Sequence, residues 1–204
     1  MTCLPCNAMV QAMEKHFITA QALLRDSFLL AEKILASDFR PHFIVGVWRG
    51  GAPVGIAVQE YLDFKGVKTD HIAIRTSSYY GIGEQDKHVR VHGLQYIIEN
   101  VNSDDELLIV DDVFDSGRSI AAILKELKAK SRRNLPETIR IACPWFKPTK
   151  NVTHLEPDYF IHKTDQWLVF PHELDGLTEQ EIRIGKPEIA DILLAEPAGK
   201  TISD

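Results

Sequence analysis

The chain has 204 residues, enough to bury a substantial core and too few for two full-sized domains. Its 45% hydrophobic and 25% charged content is ordinary for a soluble globule, and 23 basic against 29 acidic residues leave a net charge of −6 with no basic run, which excludes a sequence-independent nucleic-acid footprint. No apolar stretch approaches the roughly 20 residues that span a bilayer, and Met1 to Cys6 lacks the charged start and apolar centre of a secretory signal, so a cytoplasmic location without nucleic-acid or membrane partners is expected. Three cysteines, one of them inside an apolar run at Cys143, do not make a disulfide framework, and Cys3 and Cys6 lack the second ligand pair that a zinc site needs.

In chain order the first periodic segment is 19–36, where Leu23, Leu24, Phe28, Ala31 and Ile34 recur at a spacing of three to four and predict an amphipathic helix. A strand is expected over 43–48, a helix over 52–62 and a short strand over 72–76. A polar stretch with Gly81 and Gly83 then runs to about Arg90 and reads as a mobile loop, and 91–101 fits strand and helix equally. Further strands are expected over 107–111 and 139–145, separated by a helix over 120–130, with a weaker one at 159–162. Strands that are apolar without alternation are buried on both faces, and helices between them make the sheet parallel, so the class is doubly wound α/β. Ligands of such folds sit beyond the carboxyl ends of the strands, where Trp48–Gly51, Thr76–Tyr80 and Asp111–Ser119 all fall.

The run Leu107-Leu108-Ile109-Val110-Asp111-Asp112-Val113-Phe114-Asp115-Ser116-Gly117-Arg118-Ser119-Ile120 carries the most information. A buried strand ends in adjacent acids, then in a small-residue loop that opens a helix. Helix N-termini direct N–H groups and positive dipole outward, so a phosphate is expected at Ser116, Gly117, Arg118 and Ser119. Carboxylates beside a phosphate repel it unless they bind hydroxyls, a metal or developing positive charge. The segment closely resembles the signature of the type I phosphoribosyltransferases, whose donor, 5-phosphoribosyl-1-pyrophosphate, combines all three with Mg²⁺. Ser116 and Ser119 stand where that family more often has Thr, and both keep the hydroxyl.

The resemblance extends along the chain from about His16 to Glu173 and implies a mostly parallel sheet flanked by helices, with a small C-terminal hood for the base. It divides the sequence into an extension over 1–16, the transferase domain with its hood over 17–173, and a tail over 174–204 without an assignable role. Gly46-Val47-Trp48-Arg49-Gly50-Gly51 lies where the family holds pyrophosphate, which gives Arg49 and Gly50 that role, although Trp48 is bulkier than is usual there. Arg75-Thr76-Ser77-Ser78-Tyr79-Tyr80 resembles the purine branch, in which Ser78 and Tyr79 would begin the loop that closes over the site. Lys147, after the fourth strand, and Trp167-Leu168-Val169 resemble the base site of the 6-oxopurine enzymes. An ammonium only donates, so Lys147 suits a carbonyl and opposes the amino group of adenine, while Trp167 offers a stacking face and Leu168 and Val169 offer backbone groups.

The implied activity is transfer of a phosphoribosyl group to hypoxanthine, guanine or xanthine, a purine-salvage reaction by a homodimer or homotetramer. Asp111 and Asp112 would receive the ribose hydroxyls and Mg²⁺, Asp115 would take the proton from purine N7, and Glu173 would help hold a second Mg²⁺. The alternatives are a non-catalytic sensor of the same donor and a transferase for a pyrimidine base. A sensor would not require Asp115 and would carry a nucleic-acid surface, and Lys147 with Trp167 argues against the pyrimidine.

Overall fold

The computed structural model describes residues 15–80 and 87–195. In chain order these form β1 (Lys15–Phe17), α1 (Ala20–Leu35), β2 (Phe43–Trp48), α2 (Gly51–Phe64), β3 (Asp70–Tyr80), β4 (Lys87–His92), α3 (Gln95–Asn100), β5 (Glu106–Val110), β6 (Val113–Phe114), α4 (Arg118–Ser131), β7 (Thr138–Phe146), β8 (Tyr159–Lys163), β9 (Trp167–Val169), α5 (Glu179–Gly185) and α6 (Ala190–Leu193). Among the described residues no helix is long and apolar enough to cross a membrane.

Two compact units emerge. The larger spans Thr19–Asp165, and the smaller joins the described residues up to Ile18 with those from Gln166 onward. In the larger unit β2 is central, paired in parallel with β3 on one side and β5 on the other, and β5 leads through β7 to β8. Chain direction across the sheet therefore reverses between β2 and β5, the place where open α/β sheets leave a crevice at their carboxyl ends. Leu107, Leu108, Ile109 and Val110 are wholly buried, as parallel strands covered on both faces require. Val45, Val47, Ile123, Leu127, Cys143 and Phe146 join Leu107 and Ile109 in one core, and burial pushes the Cys143 thiol well above its usual range.

Thr19 caps α1, its Oγ1 accepting from the Ala22 N–H at 3.1 Å. The helix buries Leu23, Asp26, Ser27, Leu30, Ala31 and Ile34. Leu24 and Phe28, expected on this inner face, are instead exposed, because the buried stripe follows the 23–27–30–34 row and leaves them one position to its side. Asp26 is satisfied by His162 on β8 at 2.9 Å.

The polar loop expected after Thr76 is a strand. β3 runs on to Tyr80 and pairs antiparallel with β4, Arg75 opposite His92 and Tyr80 opposite Lys87, so Ser78 and Tyr79 belong to one arm of a hairpin. Gly81 and Gly83 lie outside the described residues. Hydroxyl-rich and aromatic residues suit a strand pair at a sheet edge, and polarity alone mistook that ladder for a loop. The ambiguous stretch divides: Val91 and His92 end β4, and Gln95–Asn100 form α3.

The smaller unit pairs β1 in parallel with β9, His16 opposite Leu168. Helix α5 begins at a capping box, in which Thr178 Oγ1 accepts from the Glu181 N–H and the Glu181 carboxylate accepts from the Thr178 N–H. Glu181 also meets Lys15 at 2.8 Å, and that ammonium, with the Thr178 backbone, lowers its carboxyl to about 2. The tail that carried no assignable role in the sequence is thus in part ordered secondary structure.

Candidate active site

The acid pair leaves the carboxyl end of β5 clamped by its neighbour: the Asp111 N–H donates to the Ala142 carbonyl at 3.1 Å, and the Trp145 N–H donates to the Asp112 carbonyl at 3.3 Å. Burial, reinforced by the Asp112 charge, holds the Asp111 carboxyl well above the usual carboxylate range. Across the crevice the Trp48–Gly51 turn ends β2, with a cis peptide between Trp48 and Arg49. This turn lies against the acids. A Cβ on Gly50 would fall 1.6 Å from Asp112 Oδ2, and one on Gly51 would fall 2.4 Å from the Val110 carbonyl oxygen and 2.8 Å from Asp111 Cα. Glycine is required here for close approach.

Beyond the acids, β6 pairs with β7 and sets Phe114 against Phe146, edge to face at 5.7 Å. Buried Phe114 anchors the start of the Asp115–Ser119 loop. Gly117 turns this loop into α4 at φ 74°, a left-handed conformation that a side chain resists, and as the N-cap it makes no side-chain bond; the Arg118 N–H reaches Ser116 Oγ at 3.5 Å. The Ser116 carbonyl accepts from the Val152 N–H at 3.2 Å, and Asn151 and Thr153 back Gly117 from behind. The first N–H groups of α4 therefore open onto a cleft lined by Asp111, Asp115, Ser116, Gly117 and Ser119. Arg118 begins the helix with its side chain exposed.

Next to this cleft lies a cavity of about 410 Å³ lined by Trp48, Arg49, Arg75, Thr76 and Ser77. A hydrogen bond from Thr76 Oγ1 to Ser119 Oγ, 3.4 Å, joins the two. Arg75 opens the Arg75–Tyr80 run quoted from the sequence but was given no role there. It reaches the cavity through register, which local sequence does not state: in the β2–β3 pairing it sits directly opposite Trp48, the last residue of β2.

Lys147 follows β7, and its N–H donates to the Phe114 carbonyl at 2.9 Å, extending the β6–β7 pairing by one residue. That bond brings Lys147 beside the loop, with its ammonium 3.8 Å from the Asp115 carboxylate. The Lys147 side chain is only 12% exposed, whereas that of Asp115 is 51% exposed. An acceptor and a donor thus stand side by side at the mouth of the cleft.

The remaining expected base residues belong to the smaller unit. Trp167 is half exposed, with the Lys15 ammonium 5.7 Å from its ring centroid. Leu168 and Val169 are buried, and the Val169 carbonyl accepts from the Ile18 N–H at 2.9 Å. Glu173 Oε2 accepts from the Phe170 N–H at 3.1 Å. Lys15 is a second residue that sequence reasoning missed, since a three-residue strand carries no periodicity to read.

Among the described residues no group of three or more His, Cys, Asp or Glu side chains gathers to cage a metal. The Asp111–Asp112 pair matches a different mode, in which one or two carboxylates and the oxygens of a phosphorylated substrate share a hard cation.

The acid pair, the glycine turn and the start of α4 all lie within residues 18–176, which match a sequence-family model, the phosphoribosyl transferase domain. The chain belongs to the phosphoribosyltransferase family. It is a phosphoribosyltransferase by fold and by domain, with the mainly parallel, helix-flanked sheet of the type I enzymes. A purine phosphoribosyltransferase from Pyrococcus horikoshii is 28% identical, with a TM-score of 0.63, covering 81% of this chain and 98% of that one. A xanthine-guanine-hypoxanthine phosphoribosyltransferase from Helicobacter pylori shares the fold at 21% identity and a TM-score of 0.60, over 79% of this chain and 95% of that one. So does a Neisseria gonorrhoeae protein with bound ppGpp, at 20% identity and a TM-score of 0.69, over 86% and 98% of the two chains. No curated protein matches the chain.

Proposed function

We propose that this phosphoribosyltransferase transfers the phosphoribosyl group of 5-phosphoribosyl-1-pyrophosphate to a 6-oxopurine in a Mg²⁺-dependent reaction of purine salvage. The observation that carries the choice of base is the Asp115–Lys147 pair. An oxopurine protonated at N7 presents a donor at N7 and an acceptor at O6 on one edge, and a carboxylate beside an ammonium is the complement of that edge. Adenine would set an amino group against the donor-only Lys147. The 28% identity to a purine enzyme supports the same reading.

Roles follow from charge and position. The N–H groups at the start of α4, with the Ser116 and Ser119 hydroxyls, hold the 5′-phosphate. Arg49, Arg75 and the Gly50 backbone hold the pyrophosphate. Asp111 and Asp112 accept the ribose hydroxyls and are the ligands offered to Mg²⁺, which when bound neutralises charge on the departing pyrophosphate. Their carboxylates also favour the positive charge that develops at the sugar carbon. Asp115 takes the N7 proton while Lys147 holds O6. Ser78 and Tyr79 belong to the β3–β4 arm, the element assigned to excluding water from the site. Trp167 supplies a stacking face and Leu168 and Val169 backbone groups, Glu173 is a second candidate Mg²⁺ ligand, and the chain acts as a homo-oligomer in the cytoplasm.

The test is nucleotide formation from the donor and Mg²⁺ with hypoxanthine, guanine, xanthine, adenine, orotate and uracil. Product with oxopurines alone is expected, and product with orotate or uracil would overturn the choice of base. Donor binding with no product from any base would leave a sensor. Asp115→Asn should lower kcat by about 10²–10⁴ with donor affinity unchanged, the usual worth of a general base. Unchanged turnover would remove that role.

A further inference from the structure

The polypeptide directly after β9 is held by a buried charge that the proposed reaction does not use. Phe170 and Glu173 close a turn on each other: the Glu173 N–H donates to the Phe170 carbonyl at 3.0 Å, and Glu173 Oε2 accepts from the Phe170 N–H at 3.1 Å. Into this turn projects Lys186, from the residue that follows α5. Its Nζ donates to the Phe170 carbonyl at 2.7 Å and to the Pro171 carbonyl at 3.0 Å.

Lys186 is 2% exposed, and burial lowers its pKa despite the opposing pull of Glu173 and Glu188. A buried ammonium costs free energy that a leucine or methionine of similar volume would avoid, so two well-made hydrogen bonds to adjacent carbonyls mark a place where direction matters more than filling. Three residues upstream of Phe170 stands Trp167, half exposed on β9.

We propose that Lys186 is a positioning residue for base recognition: by fixing the Phe170 and Pro171 carbonyls it sets the direction in which β9 presents Trp167 and the backbone of Leu168 to the purine. This rests on the oxopurine reading and draws the C-terminal segment into the specificity of the enzyme.

Two readouts on the full chain separate the ideas. Lys186→Met should raise the KM for the oxopurine by about tenfold, the scale of lost hydrogen bonds to a charged group, while KM for the donor and kcat at saturation stay put. Lys186→Arg should recover part of the loss. In the same variant, amide hydrogen exchange over 166–174 should quicken while the β5 residues 107–110 remain as protected as before. Parallel rises in both KM values, or none in either, would overturn the proposal. If Lys186→Met does not fold, Lys186→Gln, which keeps one donor, carries the same comparison. Should the unsubstituted protein use no oxopurine, the oxopurine reading fails by itself. The exchange measurement still decides Lys186 then: quickening confined to 166–174 upholds the positioning, and unchanged exchange ends it.

Discussion

The Trp48–Gly51 turn and the Ser116–Ser119 loop each follow a strand of one mainly parallel sheet, and the anion site proposed at each would rest on different physics. In the first, positive charge comes from side chains: Arg49 on the turn and Arg75 from the neighbouring strand line one cavity, and two glycines let the main chain press against the acids of β5. In the second, charge comes from the backbone. The first N–H groups of α4 point out of the helix end, as at any helix start, Gly117 has no side chain to occupy them, and buried Phe114 and Ile120 hold the loop from either end. A cationic cavity attracts over a distance and weakens with salt. A set of helical amides acts at contact and is built into the fold.

The contrast breaks most sharply at the glycines. Gly51→Ala places a methyl against the backbone of Val110 and Asp111, which cannot rotate away, so the sheet and turn must part. Overpacking of this kind costs about 1–3 kcal/mol, which in a chain of this length lowers the melting temperature by about 2–12 °C. A thermal melt checks this, and an unchanged midpoint would mean that the turn does not lie against β5. Gly117→Ala should cost less, about 1–2 kcal/mol for a non-glycine residue at positive φ. Its new methyl meets mainly the Thr153 side chain, at 2.4 Å. Thr153→Ala removes that contact together with the Thr153 Oγ1 bonds to Asn151 and Leu155, so the double variant is compared with Thr153→Ala alone: Gly117→Ala should cost less in that background than in the unsubstituted chain, and an equal cost in both would show that the clash costs nothing.

The two loops also differ in how far their residues disclose them. The second is continuous in sequence, so Leu107 to Ile120 announce strand, acids, glycine and helix start in order, and the folded chain keeps that order. The first is assembled. Arg75 comes to the cavity through the pairing of β3 with β2, and nothing in the local sequence around it says which strand lies opposite. Lys147 is intermediate: a lysine after a strand has no meaning of its own, and acquires one only through the Phe114–Lys147 main-chain bond that sets it beside Asp115. Buried parallel strands were readable because Val, Ile and Leu run through them unbroken. The β3–β4 hairpin and the three-residue β1–β9 ladder were not, the one being polar and the other pairing Lys15 with Trp167 across most of the chain.

The smallest effect separates the loops by charge alone. Arg75 is exposed and lines the cavity, so Arg75→Gln should leave the melting temperature in place. Pyrophosphate affinity should fall by about tenfold, the low end for a charge-assisted hydrogen bond in a partly solvated cavity. The more telling quantity is the slope of that affinity against salt. If the cavity works through its cations, removing one of its two arginines should flatten the slope, since fewer screened pairs remain to lose. Ser119→Ala, at the amide-built loop, removes a neutral hydroxyl and should weaken phosphate binding without changing its salt slope. Equal slopes for Arg75→Gln and the unsubstituted protein would place the pyrophosphate elsewhere. A changed slope for Ser119→Ala would mean that the two loops do not act by separate means.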